Sequence, residues 1–375
     1  MKKDKVIFIS AGEQSGDMHG SSLMDEIKKL TGAVFYGLGG DMMISGGLNA
    51  IAHIKDLSAT GLAEVAKKYR YFKRTLKKSV VKVNELKPDA VILIDYPGFN
   101  LRLAEEIRKN YNGKIIYYIS PQLWAWHENR VYGIKKNIDK MLVVFPFEVG
   151  FYRRFGVEAE YVGHPLVKKI GDFLKVSQKK YIPNVVKKVV LLPGSRNDEV
   201  KNHLPLLLET IKELRKDFKI ELYISRAQAL RNEYFEKLIR NFNDYSIITT
   251  DLYSCIYEAD LVMTKAGTST MECSLIGSPF LIFYKTYPVN YYLLKPLVKI
   301  KNIGIVNILA GKNIIKEFIQ KDCTKKLLYN EAKKILSDIN YSEEIRSNLK
   351  FIWDLLGTDD SSSNAAEKIY QLALA

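Results

Sequence analysis

The strongest constraint on this chain is an alternation that runs through it twice: short apolar runs stopping on Gly, Pro, Ser or Asp, each followed by a longer amphipathic segment. A strand buried on both faces reads as an unbroken apolar run. A parallel neighbour can be reached only through a crossover, usually a helix, so the pattern predicts β-α units wound into parallel sheets. In the first series the expected strands are 6–10, 33–36, 90–94, 114–119 and 141–145, with helices over 18–30, 64–86, 101–111 and 148–155. In the second they are 189–192, 220–224, 246–249, 261–263 and 280–283, with helices over 204–216 and 270–276. Gly163-His164-Pro165 and the lysine-rich stretch to about Lys188 read as the linker, and 365–374 reads as a closing helix. The expected fold class is α/β, with two facing doubly wound domains at 1–167 and 168–344. The last helices, about 345–375, are expected to return to the first domain. In such sheets ligands bind at the carboxyl ends of the strands.

Charge narrows the partners. Lysine and arginine number 57 against 42 acidic residues, a net charge of +15, which favours an anionic partner: nucleic acid, an acidic membrane surface or a phosphorylated substrate. The three cysteines, Cys255, Cys273 and Cys323, are far apart and lack Cys-x-x-Cys spacing, so neither a disulfide framework nor a zinc site is indicated. The five histidines show no ligand spacing, and no metal or cofactor is expected. No apolar stretch approaches the ~18–20 residues that span a bilayer, so any membrane association is expected to be peripheral.

Four loops carry the candidate chemistry. The first strand runs into Ala11-Gly12-Glu13-Gln14-Ser15-Gly16-Asp17, whose glycines would let backbone approach a ligand; a tight turn capped by Asp17 or Ser15 fits the same residues. The strand 90–94 ends in Asp95 and continues Tyr96-Pro97-Gly98-Phe99-Asn100, which sets a carboxylate where a general base would stand, or where an Asp would organise a Pro-Gly turn. In the second half Pro193-Gly194-Ser195-Arg196 precedes a helix, a candidate pyrophosphate cradle of backbone N–H groups and one guanidinium. Thr264-Lys265-Ala266-Gly267-Thr268-Ser269-Thr270-Met271-Glu272 contains the capping-box spacing Ser269-x-x-Glu272, which by spacing alone ranks ahead of a ribose-binding Glu272 and a phosphate-holding Gly267-Thr268-Ser269 backbone. Two basic, aromatic stretches, Lys67 to Arg74 and Tyr291 to Lys301, the latter with Tyr292, Lys295 and Lys299, suit an anionic lipid interface; RNA or a solvated helix face would accept them too.

Taken in order, the segments Ala11 to Asp17, Gly61-Leu62-Ala63-Glu64-Val65, Ile94 to Asn100, Ser120-Pro121-Gln122-Leu123-Trp124-Ala125-Trp126, Pro146-Phe147-Glu148, Gly163-His164-Pro165, Leu192 to Arg196 and Asn307-Ile308-Leu309-Ala310-Gly311 resemble the lipid-A-disaccharide synthases. The resemblance covers Ile9 to about Leu328. It implies a GT-B fold and an inverting transfer from UDP-2,3-diacylglucosamine to 2,3-diacylglucosamine 1-phosphate. That reaction releases UDP and gives lipid A disaccharide 1-phosphate, without a metal, at the cytoplasmic face of the inner membrane. By position it implies a catalytic aspartate at Asp95, first-loop acids at Glu13 and Asp17, a phosphate-contacting arginine at Arg196, an active-site asparagine at Asn307 and donor ribose at Glu272. Trp124 and Trp126 join the acceptor and membrane surface. Two positions depart from the family pattern: Gly98 replaces a second carboxylate, leaving Asp95 alone, and Gly40-Asp41-Met42-Met43 replaces a Gly-Pro-Arg-Met segment. The expected partners are the two acylated sugars and an anionic membrane surface, not nucleic acid, with self-association left open. The rival classes are a UDP-sugar isomerase and a basic lipid- or RNA-binding scaffold.

Overall fold

The computed structural model describes residues 5–57, 62–177, 185–227, 230, 232–240, 242–287, 291 and 300–375. The chain divides into two compact units, Met1–Lys168 with Thr358–Ala375, and Lys169–Gly357.

In the first unit the strands are β1 (Lys5–Ala11), β2 (Ala33–Gly39), β3 (Leu48–His53), β4 (Ala90–Ile94), β5 (Lys114–Tyr118), β6 (Lys140–Val143) and β7 (Ala159–Tyr161). They pair in parallel in the order β3-β2-β1-β4-β5-β6-β7. All five residues of β4 are fully buried, and each Val, Leu or Ile so placed contributes about 1.5–3 kcal/mol. The second unit holds β8 (Val186–Leu192), β9 (Lys219–Ser225), β10 (Tyr245–Ile248), β11 (Leu261–Lys265), β12 (Phe280–Tyr284) and β13 (Glu317–Ile319). Their order is β10-β9-β8-β11-β12-β13, again parallel. Both sheets therefore reverse their winding once, between β1 and β4 in the first and between β8 and β11 in the second. A reversal leaves the loops at the two carboxyl ends diverging, and the crevice between them is where such sheets bind ligands.

All the strands read from apolar runs are present, their ends moved by a few residues. Three others, β3, β7 and β13, each lie at a sheet edge. Edge strands are wetted on one side, and β3 goes from buried Leu48 to exposed Asn49 and Ala50, so no continuous apolar run marks it.

Helices begin earlier than their apolar period suggests, at Gln14–Leu30, Pro97–Arg108, Asn197–Leu214 and Thr268–Ile276. Their first turns are mostly polar or glycine-bearing, and they follow the strand ends within a few residues. This makes Glu13, Tyr96, Arg196 and Gly267 the N-cap residues, none of them capping through its side chain.

Two expectations about organisation need correction. The stretch after Gly163-His164-Pro165 is not extended linker throughout: helix Pro165–Val176 occupies it, and the unit boundary falls inside that helix. The return to the first unit comes at Thr358 rather than about 345. Helix Ile339–Leu356 buries Ile345, Leu349, Ile352 and Leu356 within the second unit, against helices Thr268–Ile276 and Lys325–Ser337, and stops at the left-handed Gly357. Helix Ser361–Ile369 then packs on Gln14–Leu30, with a 2.9 Å hydrogen bond between the Ser361 and Tyr118 hydroxyls and a 2.5 Å ion pair from Lys168 to Asp360.

Candidate active site

The crevice of the first sheet carries Glu13 after β1 and Asp95 after β4. Asp95 and Tyr96 both take the left-handed conformation, at φ 44° and 48°, which costs on the order of 1–3 kcal/mol for each non-glycine residue. The surroundings hold it. Buried Asn100 donates from Nδ2 to the carbonyls of Asp95 (2.8 Å), Ile94 (3.1 Å) and Ser10 (3.3 Å), and its Oδ1 accepts from the Ser10 hydroxyl at 2.7 Å. Tyr117, also buried, donates its hydroxyl to the Asp95 carbonyl at 2.5 Å. Gly12 completes the fit, because a Cβ there would stand 2.0 Å from the Tyr96 ring. Burial, and after it the negative charge of Glu13, raise the Asp95 carboxyl to about 6, against a smaller lowering by the Tyr96 backbone N–H. A carboxylate that titrates near neutrality from a rigid backbone is suited to general-base work.

The crevice of the second sheet has the opposite character. Pro193–Arg196 follows β8, and Ala266-Gly267 follows the neighbouring β11, whose Thr264 lies opposite Leu192. Arg196 is the N-cap of the helix Asn197–Leu214. A cation is unfavourable at the positive end of a helix unless an anion is to be bound there. Its side chain is 78% exposed. Glu199, in the first helical turn, reaches back: its Oε2 accepts from the Ser195 N–H at 3.0 Å, and its Oε1 accepts from Lys265 Nζ at 2.9 Å and Arg196 Nη1 at 3.2 Å. Burial works to raise this carboxyl, but the hydrogen bond and charge of Lys265, with Ser195 and Arg196, leave it lowered. Beneath the loop, buried His203 sets Nδ1 2.8 Å from the Pro193 carbonyl and Nε2 2.9 Å from the Lys285 carbonyl and 3.1 Å from the Lys285 N–H. Burial lowers its pKa, against a smaller raising by the Pro193 and Lys285 backbone, and the ring stitches the ends of β8 and β12 together.

The capping box expected at Ser269 and Glu272 does not form. The helix starts at Thr268, Ser269 hydrogen-bonds Thr264 at 2.7 Å, and Thr270 donates to the Gly267 carbonyl. Glu272, half-buried, instead accepts from the Tyr253 hydroxyl through Oε1 at 3.0 Å. Gly267 and Thr268 stand exposed at the helix start.

Several expected site residues make hydrogen bonds within the fold. Asp17 lies near the first crevice, but its carboxylate accepts from the backbone N–H groups of Gly40 (2.7 Å), Met42 (3.0 Å) and Met43 (3.0 Å) and so caps helix Asp41–Ser45. Asn307 is buried and spends both ends on its own loop. It donates to the Ile315 carbonyl and to Glu317, and accepts from the Ile314 and Ile315 N–H groups. Trp124 is half-buried; its Nε1 donates at 3.0 Å to Glu148, which is buried and also holds the Ser120 hydroxyl and the Phe145 N–H. Burial raises the Glu148 carboxyl to about 7, offset in part by those bonds. Trp126 remains a surface residue, 43% exposed. In the first basic stretch Tyr71 and Phe72 pack on the core, Phe72 edge-on to Phe99 at 5.1 Å, while Arg70, Lys73 and Arg74 are exposed. Tyr292, Lys295 and Lys299 lie outside the described residues. Sequence reading missed Glu199, Lys265, Asn100 and His203. A signal for His203 was present, since it occupies the apolar face of its helix with Val200, Leu204 and Leu207. Among the described residues no acidic, His or Cys cluster could hold a metal ion, and no helix is long and apolar enough to cross a membrane.

The sequence model of one family, described as lipid-A-disaccharide synthetase, matches residues 7–369. Lipid-A-disaccharide synthase 1 of Legionella pneumophila is 35% identical over 375 residues, spanning 98% of this chain and 97% of its own length. The lipid-A-disaccharide synthase of Geobacter sulfurreducens is 34% identical with the same coverage. Among solved structures, the fold is similar to the UDP-GlcNAc 2-epimerase from Neisseria meningitidis bound to UDP-GlcNAc, at a TM-score of 0.66 and 10% identity over 98% of this chain and 100% of that one. It is also similar to the calicheamicin glycosyltransferase CalG4, at a TM-score of 0.60 and 12% identity over 99% and 98%.

Proposed function

This chain belongs to the lipid-A-disaccharide synthase family, glycosyltransferases of lipid A biosynthesis with a GT-B fold, and from that membership we propose how its two crevices divide the work. Asp95 accepts the proton of the acceptor's 6-hydroxyl as that oxygen attacks the anomeric carbon of UDP-2,3-diacylglucosamine. The C–O bond to UDP breaks on the opposite face, so the configuration inverts in one displacement. The acceptor is 2,3-diacylglucosamine 1-phosphate. In the second unit Glu272 receives the ribose hydroxyls, and Arg196 with the N–H groups around Gly194, Gly267 and Thr268 takes the charge that develops on the departing diphosphate. The observation that carries the reading is the Asp95 site, a desolvated acid titrating at about 6 on a backbone fixed by Asn100 and Tyr117.

Glu13 acts by its charge, holding the Asp95 carboxyl up, while Asp17 and Asn307 shape the loops that flank the site. The acyl chains suit an enzyme working at the cytoplasmic surface of the inner membrane, to which the net charge of +15 and exposed Trp126 would contribute.

The test is incubation of the full-length protein with UDP-diacylglucosamine, with and without the monosaccharide phosphate acceptor. UDP and a phosphorylated disaccharide should appear together, and only with both sugars present. Conversion of UDP-GlcNAc with no acceptor would mark an isomerase and retire this reading.

A further inference from the structure

The second crevice already contains an anion. The Ser195 N–H and the Arg196 guanidinium from the loop after β8, and the Lys265 ammonium from the end of β11, all converge on the Glu199 carboxylate. One backbone N–H, one ammonium and one guanidinium is the donor set a phosphate group takes at a helix start. Glu199 and Lys265 are both largely out of water, with side chains 15% and 17% exposed. The loop is shaped around this arrangement. Gly194 sits at φ 132°, and a Cβ there would stand 2.7 Å from both the Glu199 Cβ and Oε2, so any other residue would push the carboxylate out. On the other side Gly267 lies against the Lys265 ammonium, where a Cβ would stand in ordinary contact, 3.5 Å from Nζ.

We propose that Glu199 is a built-in stand-in for the ligand's diphosphate, and that the diphosphate takes its place, making Lys265 a second cation on the sugar nucleotide beside Arg196. The inference rests on the proposed placement of the donor in this crevice. A poorly hydrated ammonium is costly without a counter-charge. In the empty protein Glu199 supplies that charge and holds the Ser195 loop in its binding shape. A diphosphate carries more negative charge than one carboxylate and offers more acceptor oxygens, so it outcompetes Glu199, whose position in the first helical turn lets it swing to solvent.

Calorimetric titration of the full-length protein with UDP, and separately with inorganic pyrophosphate, tests the exchange at fixed ionic strength. Lys265→Met should weaken both ligands by about tenfold or more, the scale of one lost charge-assisted contact. Lys265→Arg should recover most of the loss. Glu199→Gln, which removes the competing charge and keeps the shape, should tighten pyrophosphate by roughly threefold to tenfold. The double variant Lys265→Met with Glu199→Gln leaves no buried charge unpaired, and it should still bind weakly, separating the role from a folding defect. Parent-like binding by Lys265→Met overturns the proposal, as does weakening by Glu199→Gln as large as that by Lys265→Met, which would make Glu199 a positioning residue only. In either case the parent's UDP binding would leave the donor placement standing. A parent that binds no UDP removes that placement and this inference with it.

Discussion

The two crevices occupy the same topological place, the point where a parallel sheet reverses its winding, yet they do opposite things to a carboxylate. In the first, Asp95 is desolvated beside another acid, Glu13, and its carboxyl rises to about 6. In the second, Glu199 is also half-buried but faces Lys265, Arg196 and a backbone N–H, and its carboxyl is lowered. Topology supplies the crevice and the helix N-termini. The few side chains lining it decide whether the result is a base or an anion cradle.

The largest contrast should come from disabling each crevice in turn. Asp95→Ala should cut turnover by about 10²–10⁴ and leave UDP affinity at the parent's value. Arg196→Ala should weaken UDP by roughly tenfold or more and leave the acidic limb of the pH–rate profile where it was. Turnover and UDP titration on the two purified variants check both, and equal loss of affinity in the two would erase the division of labour.

Next in size is the scaffold beneath Asp95. Asn100→Ala takes its partner from the Ser10 hydroxyl and a donor from the Ser10 and Ile94 carbonyls, while the Asp95 carbonyl keeps Tyr117; at about 1–3 kcal/mol for each buried group left unpaired, a marked drop in melting temperature should accompany reduced turnover. An unchanged melting temperature would mean the strained Asp95–Tyr96 pair is held by something else.

The smaller effects are electrostatic. Activity should rise with pH through about 6 as Asp95 loses its proton, and Glu13→Gln should move that limb to lower pH by removing a like charge; a limb that stays put would sever Glu13 from Asp95. For stability the sign is the reverse. The folded pKa lies above the ordinary 3.8, so the contribution of protonated Asp95 is full below about 4 and is lost as pH rises through about 6. Asp95→Asn should therefore raise the melting temperature by a few degrees at pH 8 and leave it nearly unchanged at pH 4, as thermal scans at the two pH values would show.

Much of this was legible in residue order. The buried strands announce themselves as apolar runs, and Asp95 and Arg196 follow such runs at the turns into helices, with Glu272 in the second turn of its helix. The edge strands β3, β7 and β13 did not, because half-wetted strands have no unbroken apolar signal. Asp17, Asn307 and Trp124 show the limit in the other direction: a polar residue in a recognisable motif looks the same whether it meets a ligand or a backbone N–H. In all three cases the hydrogen-bond partner turned out to be another part of the chain.

The sequence by itself determined the alternation, the parallel sheets and the loops in which chemistry could reside, since these depend on local periodicity and on which residues tolerate a turn. Tertiary structure alone decided that Glu199 meets Lys265 across 66 positions, that Asn100 reaches back 90 positions to Ser10, and that Glu13 lifts Asp95. Hydrogen bonding, desolvation and charge act through space over a few ångströms, and distance along the chain carries no record of them.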